Sequence, residues 1–191
     1  MVRAVKVPAS FGLPEHWNVT PEEAAASYPC DEVSTEPYAG MTRAVDVAAP
    51  PSIVFRWLCQ LRAAPFSYDA IDNRGRRSPR ELTAGLDQLA VGQSLLVATI
   101  TSFVRDEHIT GRATPAANRL FGLTALTYQV VRRGDHSRLI ARLNVRIPQQ
   151  AWERARYALL GWGDMIMMRK QLLTLKQLAE RDAERTTHVG L

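Results

Sequence analysis

Three stretches decide the fold of this chain: LFGLTALTYQVVRR at 120–133, SRLIARLNVRI at 137–147 and WGDMIMMRKQLLTLKQL at 162–178. The first two predict long β-strands, and Gly134-Asp135 between them predicts a hairpin. The third belongs to a helix predicted over about 150–181, which Gly161-Trp162-Gly163 would kink or break. A sheet followed by one long terminal helix favours strands that curve around the helix and leave a cavity between the two layers.

The last strand has an alternating pattern. Leu139, Ala141, Leu143, Val145 and Ile147 alternate with Arg138, Arg142, Asn144 and Arg146. Successive side chains of a strand point to opposite faces, so this pattern gives one apolar and one basic face. It predicts an antiparallel strand that is buried on one side only.

Upstream, Met41–Ala48 predicts a strand, and Pro50-Pro51 opens a helix that reaches about Leu61. The helix has an apolar face at three- and four-residue steps, formed by Val54, Trp57, Leu58 and Leu61. Further predictions are a short capped helix from Ser78 to Gly85, strands over 94–104 and 107–113, and a turn at 114–118.

The chain divides into three parts. Residues 1–40 form an N-terminal arm with a short helix at Pro21–Tyr28, which Thr20 caps and Pro29 ends. Residues 41–182 form a single domain. Residues 183–191 are predicted to be a disordered tail.

Composition narrows the class of protein. The chain has 191 residues, of which 46% are hydrophobic and 23% charged, as is typical of one soluble globular domain. No apolar run approaches the roughly 18 residues of a membrane span, and the N-terminus has no secretory signal pattern. Cys30 and Cys59 have no metal-ligand spacing and are expected to be reduced, which favours a cytoplasmic protein. The net charge of +5 is modest and does not require nucleic acid as a partner.

Three pieces of sequence resemble the START-like, or SRPBCC, superfamily. They are DVAAPPSIVFRWLCQLRAAPFSYDAIDNRGRRSPREL at 46–82, RLFGLTALTYQVV at 119–131 and WGDMIMMRKQLLTLKQLAER at 162–181. The resemblance covers about residues 41–181 and is to polyketide cyclase/dehydrase and lipid-transport-type proteins of actinobacteria. It implies an α+β helix-grip fold, in which a curved antiparallel sheet wraps around a long C-terminal helix. The superfamily includes hydrolases, cyclases, lipid carriers and hormone receptors, so function has to be argued from the site.

The resemblance implies a cavity between the sheet and the terminal helix. Aromatic and methionine side chains on an apolar wall suit a hydrophobic ligand with few polar groups. The candidate ligand-binding residues are Trp57, Phe66, Tyr68, Asn73, Arg77, Phe103, Tyr128, Trp162, Met165 and Ile166, with Met168 beside them. For each apolar residue of this set, simple core packing is the competing interpretation.

A polar cluster at 68–80 suggests catalysis as an alternative. Asp69 or Asp72 would act as a general base and Tyr68 as a proton donor, with nearby arginines holding a carboxylate or phosphate. Such groups suit the cyclisation or dehydration of a polyketide. The competing interpretation is that Asp69 and Asp72 pair with neighbouring arginines and order a long loop.

The leading hypothesis is a binding or carrier protein for a small hydrophobic or amphipathic molecule. A cyclase- or dehydratase-type enzyme comes second, and a ligand-regulated homodimer formed through the N-terminal arm comes third. His16, His108, His136 and His188 are scattered, so we expect neither a metal nor a cofactor. We also expect no nucleic acid partner and no integral membrane association.

Overall fold

The computed structural model describes residues 5–7, 11–73 and 75–189. Within these ranges eight strands form one sheet in the order β1-β3-β8-β7-β6-β5-β4, and β2 also pairs with β3. The strands are β1 Lys6–Val7, β2 His16–Trp17, β3 Tyr38–Val47, β4 Ser94–Leu95, β5 Ala98–Val104, β6 His108–Ala113, β7 Leu123–Arg133 and β8 His136–Arg146. The helices are α1 Pro21–Ala25, α2 Pro29–Val33, α3 Pro51–Cys59, α4 Asp69–Asp72, α5 Pro115–Phe121 and α6 Ala151–Val189.

The predicted α+β class is confirmed. Strands β3 to β8 are antiparallel to their neighbours, whereas the short β1 and β2 run parallel to β3. The long helix α6 packs with α3 against one face of the sheet, which we call the inner face, so the arrangement is helix-grip-like. The predicted hairpin is also present, and Gly134 adopts the positive φ of 65° that such a turn favours.

The main hydrophobic core lies between α3, α6 and the inner face. Trp57 and Leu58 of α3 meet Leu172 and Leu175 of α6 there, and all four side chains are fully buried. Burying an apolar side chain of this size contributes about 1.5–3 kcal/mol, so this layer accounts for much of the stability. The two thiols are free and buried, and burial raises the pKa of Cys30 and of Cys59 to about 12.

The N-terminal arm covers the opposite, outer face of the sheet. Tyr28 and Cys30 pack on Ala44, Ala125 and Ile140 from the sheet. Strand β8 is therefore buried on both faces between Ser137 and Val145. The prediction of a half-buried strand is wrong because the basic face of β8 is covered by another part of the chain.

Arg142 of β8 is central to this outer layer. Its guanidinium donates to Thr42 Oγ1 at 2.8 Å, to the Ala24 carbonyl at 3.1 Å and to Asn144 Oδ1 at 3.2 Å. It also lies over the Tyr28 ring, 5.4 Å from the centroid. Gly40 makes room for it, since a Cβ at that position would lie 1.7 Å from Arg142 Nη2.

Several local predictions differ from the structure. Pro29 begins α2 instead of only ending a helix, because proline is well suited to a first helical position. Residues 115–121 form α5 instead of a turn, with Thr114 as the cap. No helix forms over 78–85, since the Ser78 hydroxyl bonds to Asp69 and does not cap a helix.

Helix α6 is longer and more regular than predicted. It passes through Gly161 and Gly163 without a break and continues to Val189. Residues 183–189 of the tail predicted to be disordered are therefore helical, and 190–191 lie outside the described residues. Ion pairs of Arg181 and Arg185 with Glu81 and Asp182 support this last part.

Candidate functional site

A charged residue lies between the inner face of the sheet and α6, in the region that we call the grip. Arg43 is in phase with Met41 and Val45 along β3, so its side chain projects from the inner face towards α6. It is 0% exposed. The register pairs Arg43 with Ala141 of β8, and Ala141 in turn with Tyr128 of β7, so the three form one row across the sheet.

Arg43 has few partners for a buried guanidinium. Its Nη2 lies 2.8 Å from the Asp164 carboxylate of α6 and donates to the Pro14 carbonyl at 3.3 Å. Its Nε and Nη1 are buried without a hydrogen-bond partner. Buried polar groups are nearly always hydrogen-bonded, so two unpartnered donors on one charged side chain are unusual.

Polar groups from α6 complete the cluster. Asp164 is 35% exposed at the side chain, so it lies where the interior meets solvent. Desolvation raises the pKa of the Asp164 carboxyl, and the nearby Arg43 only partly offsets this effect. The Tyr128 hydroxyl donates to Gln171 Oε1 at 2.6 Å, while burial and the Asp164 charge raise the pKa of that phenol.

A small recess lies near the start of α6, and none of the cluster residues lines it. It has a volume of about 40 Å³ and lies between Tyr157 and Leu160 of α6 and Val145 of β8. This space suffices for a few water molecules, whereas small-molecule sites usually measure about 300–1,000 Å³. A larger recess of about 300 Å³ lies outside the grip, where Val33, Arg112 and Arg119 are among its lining residues.

The arrangement suits recognition of a polar head group. Nε and Nη1 of Arg43 are free to donate to the oxygens of a carboxylate or phosphate, and the rest of the inner face is mostly apolar. Asp164, with its raised pKa, can also hold or move a proton. Among the described residues, no group of three His, Cys, Asp or Glu side chains is placed to bind a metal ion.

Three of the predicted aromatic ligand-binding residues lie deep in the core. Trp57, Phe66 and Tyr128 are fully buried, and Trp57 packs edge to face on Phe66. Trp57 also donates its indole N–H to Asp182 at 3.0 Å. Met165 and Met168 are buried on the inner side of α6, and Phe103 is half-buried against the core.

The other predicted ligand-binding residues lie towards solvent. Trp162 and Ile166 are 46% and 49% exposed on the outer side of α6, and Tyr68 is 41% exposed. Arg77 is exposed, and Asn73 is half-buried and donates to the Arg76 carbonyl.

The two candidate catalytic aspartates are bound within their own loop. Asp69 accepts hydrogen bonds from the Ser78 backbone N–H at 2.8 Å and from the Ser78 hydroxyl at 2.5 Å. Desolvation raises the pKa of Asp69, but the bonds from Ser78 outweigh it and the net shift is downward. Asp72 accepts from the Ser67 hydroxyl at 2.6 Å. The loop is ordered by serines instead of the arginines that the sequence suggested.

The sequence contained signals for the cluster that were missed. Arg43 lies two residues before Val45 and four before Val47, so the same alternation that predicts β3 places an arginine on the apolar face. Asp164 interrupts the apolar part of α6 next to Met165. Gln171 gives no signal of its own, because a glutamine on a long helix is ordinarily on the solvated face.

No protein-family model matches this chain, and no curated protein matches it either. Similar solved structures include the Aha1 dimer from Colwellia psychrerythraea, with a TM-score of 0.41 and 11% identity over 74% of this chain and 96% of that one. Protein CV1439 from Chromobacterium violaceum gives a TM-score of 0.39 and 18% identity, over 74% of this chain and 96% of that one. CalU16 from Micromonospora echinospora gives a TM-score of 0.31 and 16% identity, over 73% of this chain and 85% of that one. Similarity at this level assigns no function.

Proposed function

We propose that the protein binds a small amphipathic molecule inside the grip, with the polar head of the molecule on Arg43 and its apolar part along the inner face. It would act as a binding or carrier protein. The observation that carries this proposal is the complete burial of Arg43 with Nε and Nη1 unpartnered.

The unpaired donors of Arg43 carry an energetic cost. Each buried donor without a partner costs about 1–3 kcal/mol, and more when the group is charged. A residue that only held α6 against the sheet would gain stability from a full set of partners or from an apolar replacement. A ligand with acceptor oxygens supplies the missing partners, so it would bind most strongly at Arg43.

A guest on Arg43 requires α6 to shift, since Arg43 lines neither of the two recesses. Between Ala151 and Ile166 the buried residues of α6 are Gly161 and Met165, whereas the stretch from Met168 to Ala179 is buried at nearly every inward position. The first segment is therefore held less strongly than the second. We expect the first segment to move away from β3 and β8 when the guest enters, while the second segment stays in place.

The proposal is tested with a dansyl-labelled fatty acid and its methyl ester as fluorescent probes. We expect the acid to bind the wild type at least about tenfold more tightly than the ester, since a charge-assisted hydrogen bond contributes about 1.5–3 kcal/mol. Arg43→Met should remove this preference. Arg112→Met is the control, because Arg112 is exposed outside the grip. Equal affinity for both probes, or a preference that survives in Arg43→Met, would contradict the proposal.

The enzyme hypothesis for Asp69, Asp72 and Tyr68 stays a prediction. The hydrogen bonds that lower the pKa of Asp69 also weaken it as a base. One observation favours acid–base chemistry at a different place: Asp164 combines a raised pKa with a position beside Arg43. An Asp164→Asn variant that keeps probe affinity but loses turnover of a bound carbonyl compound would support an enzyme. The homodimer through the N-terminal arm also stays a prediction.

A further inference from the structure

Helix α6 has a second apolar face that the fold does not cover. Trp152, Leu159, Trp162 and Ile166 are between 46% and 73% exposed, and we call this set the α6 plate. Steps of seven, three and four residues place the four side chains on one side of a helix. The buried residues Gly161, Met165 and Met168 lie on the opposite side.

Two neighbouring elements extend the plate. The Arg156 guanidinium donates to the Arg119 carbonyl at 2.9 Å, which places the end of α5, with exposed Leu120 and Phe121, beside α6. The Ser67 hydroxyl lies 3.7 Å from Met167 Sδ, which places α4, with exposed Ile71, further along the same helix. Exposed apolar side chains from three elements are therefore gathered in one region.

The rim of this region is basic. Arg169 and Lys170 of α6 are exposed, as are Arg119 of α5 and Arg76 and Arg77 after α4. The acidic residues of α6 and α4 in this region have partners: Glu153 contacts Arg146 and caps the start of α6, and Asp164 pairs with Arg43. Asp69 and the exposed Asp72 of α4 accept from Ser78 and Ser67. An apolar surface with tryptophans and a cationic rim fits the interface of a bilayer that contains anionic lipid.

We propose that the α6 plate docks on the surface of an anionic phospholipid bilayer. Its indole rings and aliphatic side chains would enter the headgroup region, and Arg169 and Lys170 would contact lipid phosphates. A second copy of the chain fits less well, because pairing two plates brings two cationic rims together. No helix in the described part of the chain is long and apolar enough to span a membrane.

Vesicle flotation of the full-length protein tests this proposal. We expect flotation with vesicles that contain phosphatidylglycerol, and binding at least about tenfold weaker to vesicles of phosphatidylcholine alone, since each basic residue near an anionic surface contributes several-fold. The emission of Trp152 and Trp162 should shift to shorter wavelength on binding. High salt should weaken the binding, because the charges of the rim are exposed.

Matched variants separate the plate from general hydrophobicity. Leu159→Glu with Ile166→Glu should reduce vesicle binding by about tenfold or more, since each substitution removes an apolar side chain from the interface and adds a negative charge. Lys170→Glu should reduce it by a smaller factor. Val91→Glu is the control, since Val91 is 65% exposed on a different part of the surface. Thermal unfolding checks that each variant folds.

Three results would overturn the proposal. The first is absence of binding, or equal binding to both kinds of vesicle. The second is an unchanged affinity in the Leu159→Glu and Ile166→Glu variant. The third is a wild-type dimer in sedimentation that the same variant converts to a monomer, which would assign the plate to a second copy of the chain.

Discussion

Two buried arginines lie on adjacent strands of the same sheet, and their surroundings differ. Arg142 points to the outer face, where Thr42, Ala24 and Asn144 accept from two of its nitrogens, Tyr28 lies under it, and only Nη2 has no partner. Arg43 points to the inner face, where one nitrogen meets Asp164 and the Pro14 carbonyl and two nitrogens have no partner. The outer arginine has hydrogen-bond partners at two of its three nitrogens, whereas the inner arginine has them at one and keeps more of its binding capacity unused.

The difference follows from what covers each face. The N-terminal arm supplies the Ala24 carbonyl and the Tyr28 ring, and the sheet supplies Thr42 and Asn144, so the burial of Arg142 is compensated at two of its nitrogens and Arg142 fixes the arm to the sheet. Helix α6 supplies mainly apolar side chains around Arg43, and its own carbonyls are used within the helix. A charged residue in this second environment is paired fully only when a guest provides acceptors.

Removal of the two side chains should give the largest contrast. We expect Arg142→Ala to lower the free energy of unfolding by about 3–5 kcal/mol, since it leaves Asn144 and a backbone carbonyl buried without a donor and opens a cavity. Arg43→Met should lower it by less, about 1–2 kcal/mol, because it removes two unpaired donors and keeps most of the volume, while Asp164 loses its partner. Urea denaturation measures both values. An equal loss in the two variants would remove the distinction between the faces.

His16 lies near both arginines and should give the next largest effect through pH. Burial, followed by the positive charges of Arg142 and Arg43, lowers the pKa of His16 to about 4 from 6.5. The unfolded chain takes up this proton below about pH 6.5, whereas the folded chain does so only near pH 4, so stability falls as the pH drops through this window. The loss attributable to His16 is up to about 3 kcal/mol.

The His16 prediction is measured as a difference between two proteins. Wild type and His16→Phe are unfolded in urea at several pH values between about 7 and 4, which cancels the contribution of the carboxylates they share. The wild type should lose stability relative to the variant as the pH falls. A constant difference across this range would show that His16 is not held neutral by its surroundings.

The outer face can be disturbed without touching a charge. Gly40→Ala places a Cβ 1.7 Å from the present position of Arg142 Nη2, so the guanidinium must move away from its acceptors. We expect a loss of about 2 kcal/mol, equivalent to one or two buried hydrogen bonds. Gly163→Ala is the control, since nothing lies within 4 Å of the added atom. Gly163→Ala should raise the free energy of unfolding by about 0.5–1 kcal/mol, because alanine favours a helix more than glycine does. A Gly40→Ala protein that is as stable as the wild type would show that the Arg142 guanidinium can shift at little energetic cost.

The smallest expected effect concerns the polar partner in the row of Arg43. Tyr128→Phe removes the hydroxyl that donates to Gln171 and should lower the free energy of unfolding by about 1–2 kcal/mol. Tyr68→Phe is the matched control, because the Tyr68 side chain is largely exposed, and it should change stability by less than about 0.5 kcal/mol. Similar values for the two variants would show that the Tyr128 bond contributes little.

The sequence predicted the strands and helices well where the apolar residues of an element repeat with the period of a strand or a helix. The β7–β8 hairpin, β3, α3 and α6 follow from local periodicity. The burial of Arg142 could not be predicted, because the pattern of β8 shows which residues are polar and does not show that a distant arm covers them. The placement of Arg43 could have been predicted from its phase in β3, since Val45 and Val47 already identify the inner side. The partners Asp164 and Gln171 depend on how α6 crosses the sheet, which no local pattern specifies.

Arginine side-chain NMR detects directly whether a guest binds at Arg43. The Nε–H resonances of Arg43 and Arg142 are assigned by comparing the wild type with Arg43→Met and Arg142→Lys, and a fatty carboxylate is then titrated into the wild type. We expect the Arg43 resonance to shift with saturation and to exchange more slowly with water, while the Arg142 resonance stays in place. An Arg43 resonance that is unchanged at saturating carboxylate would contradict this expectation.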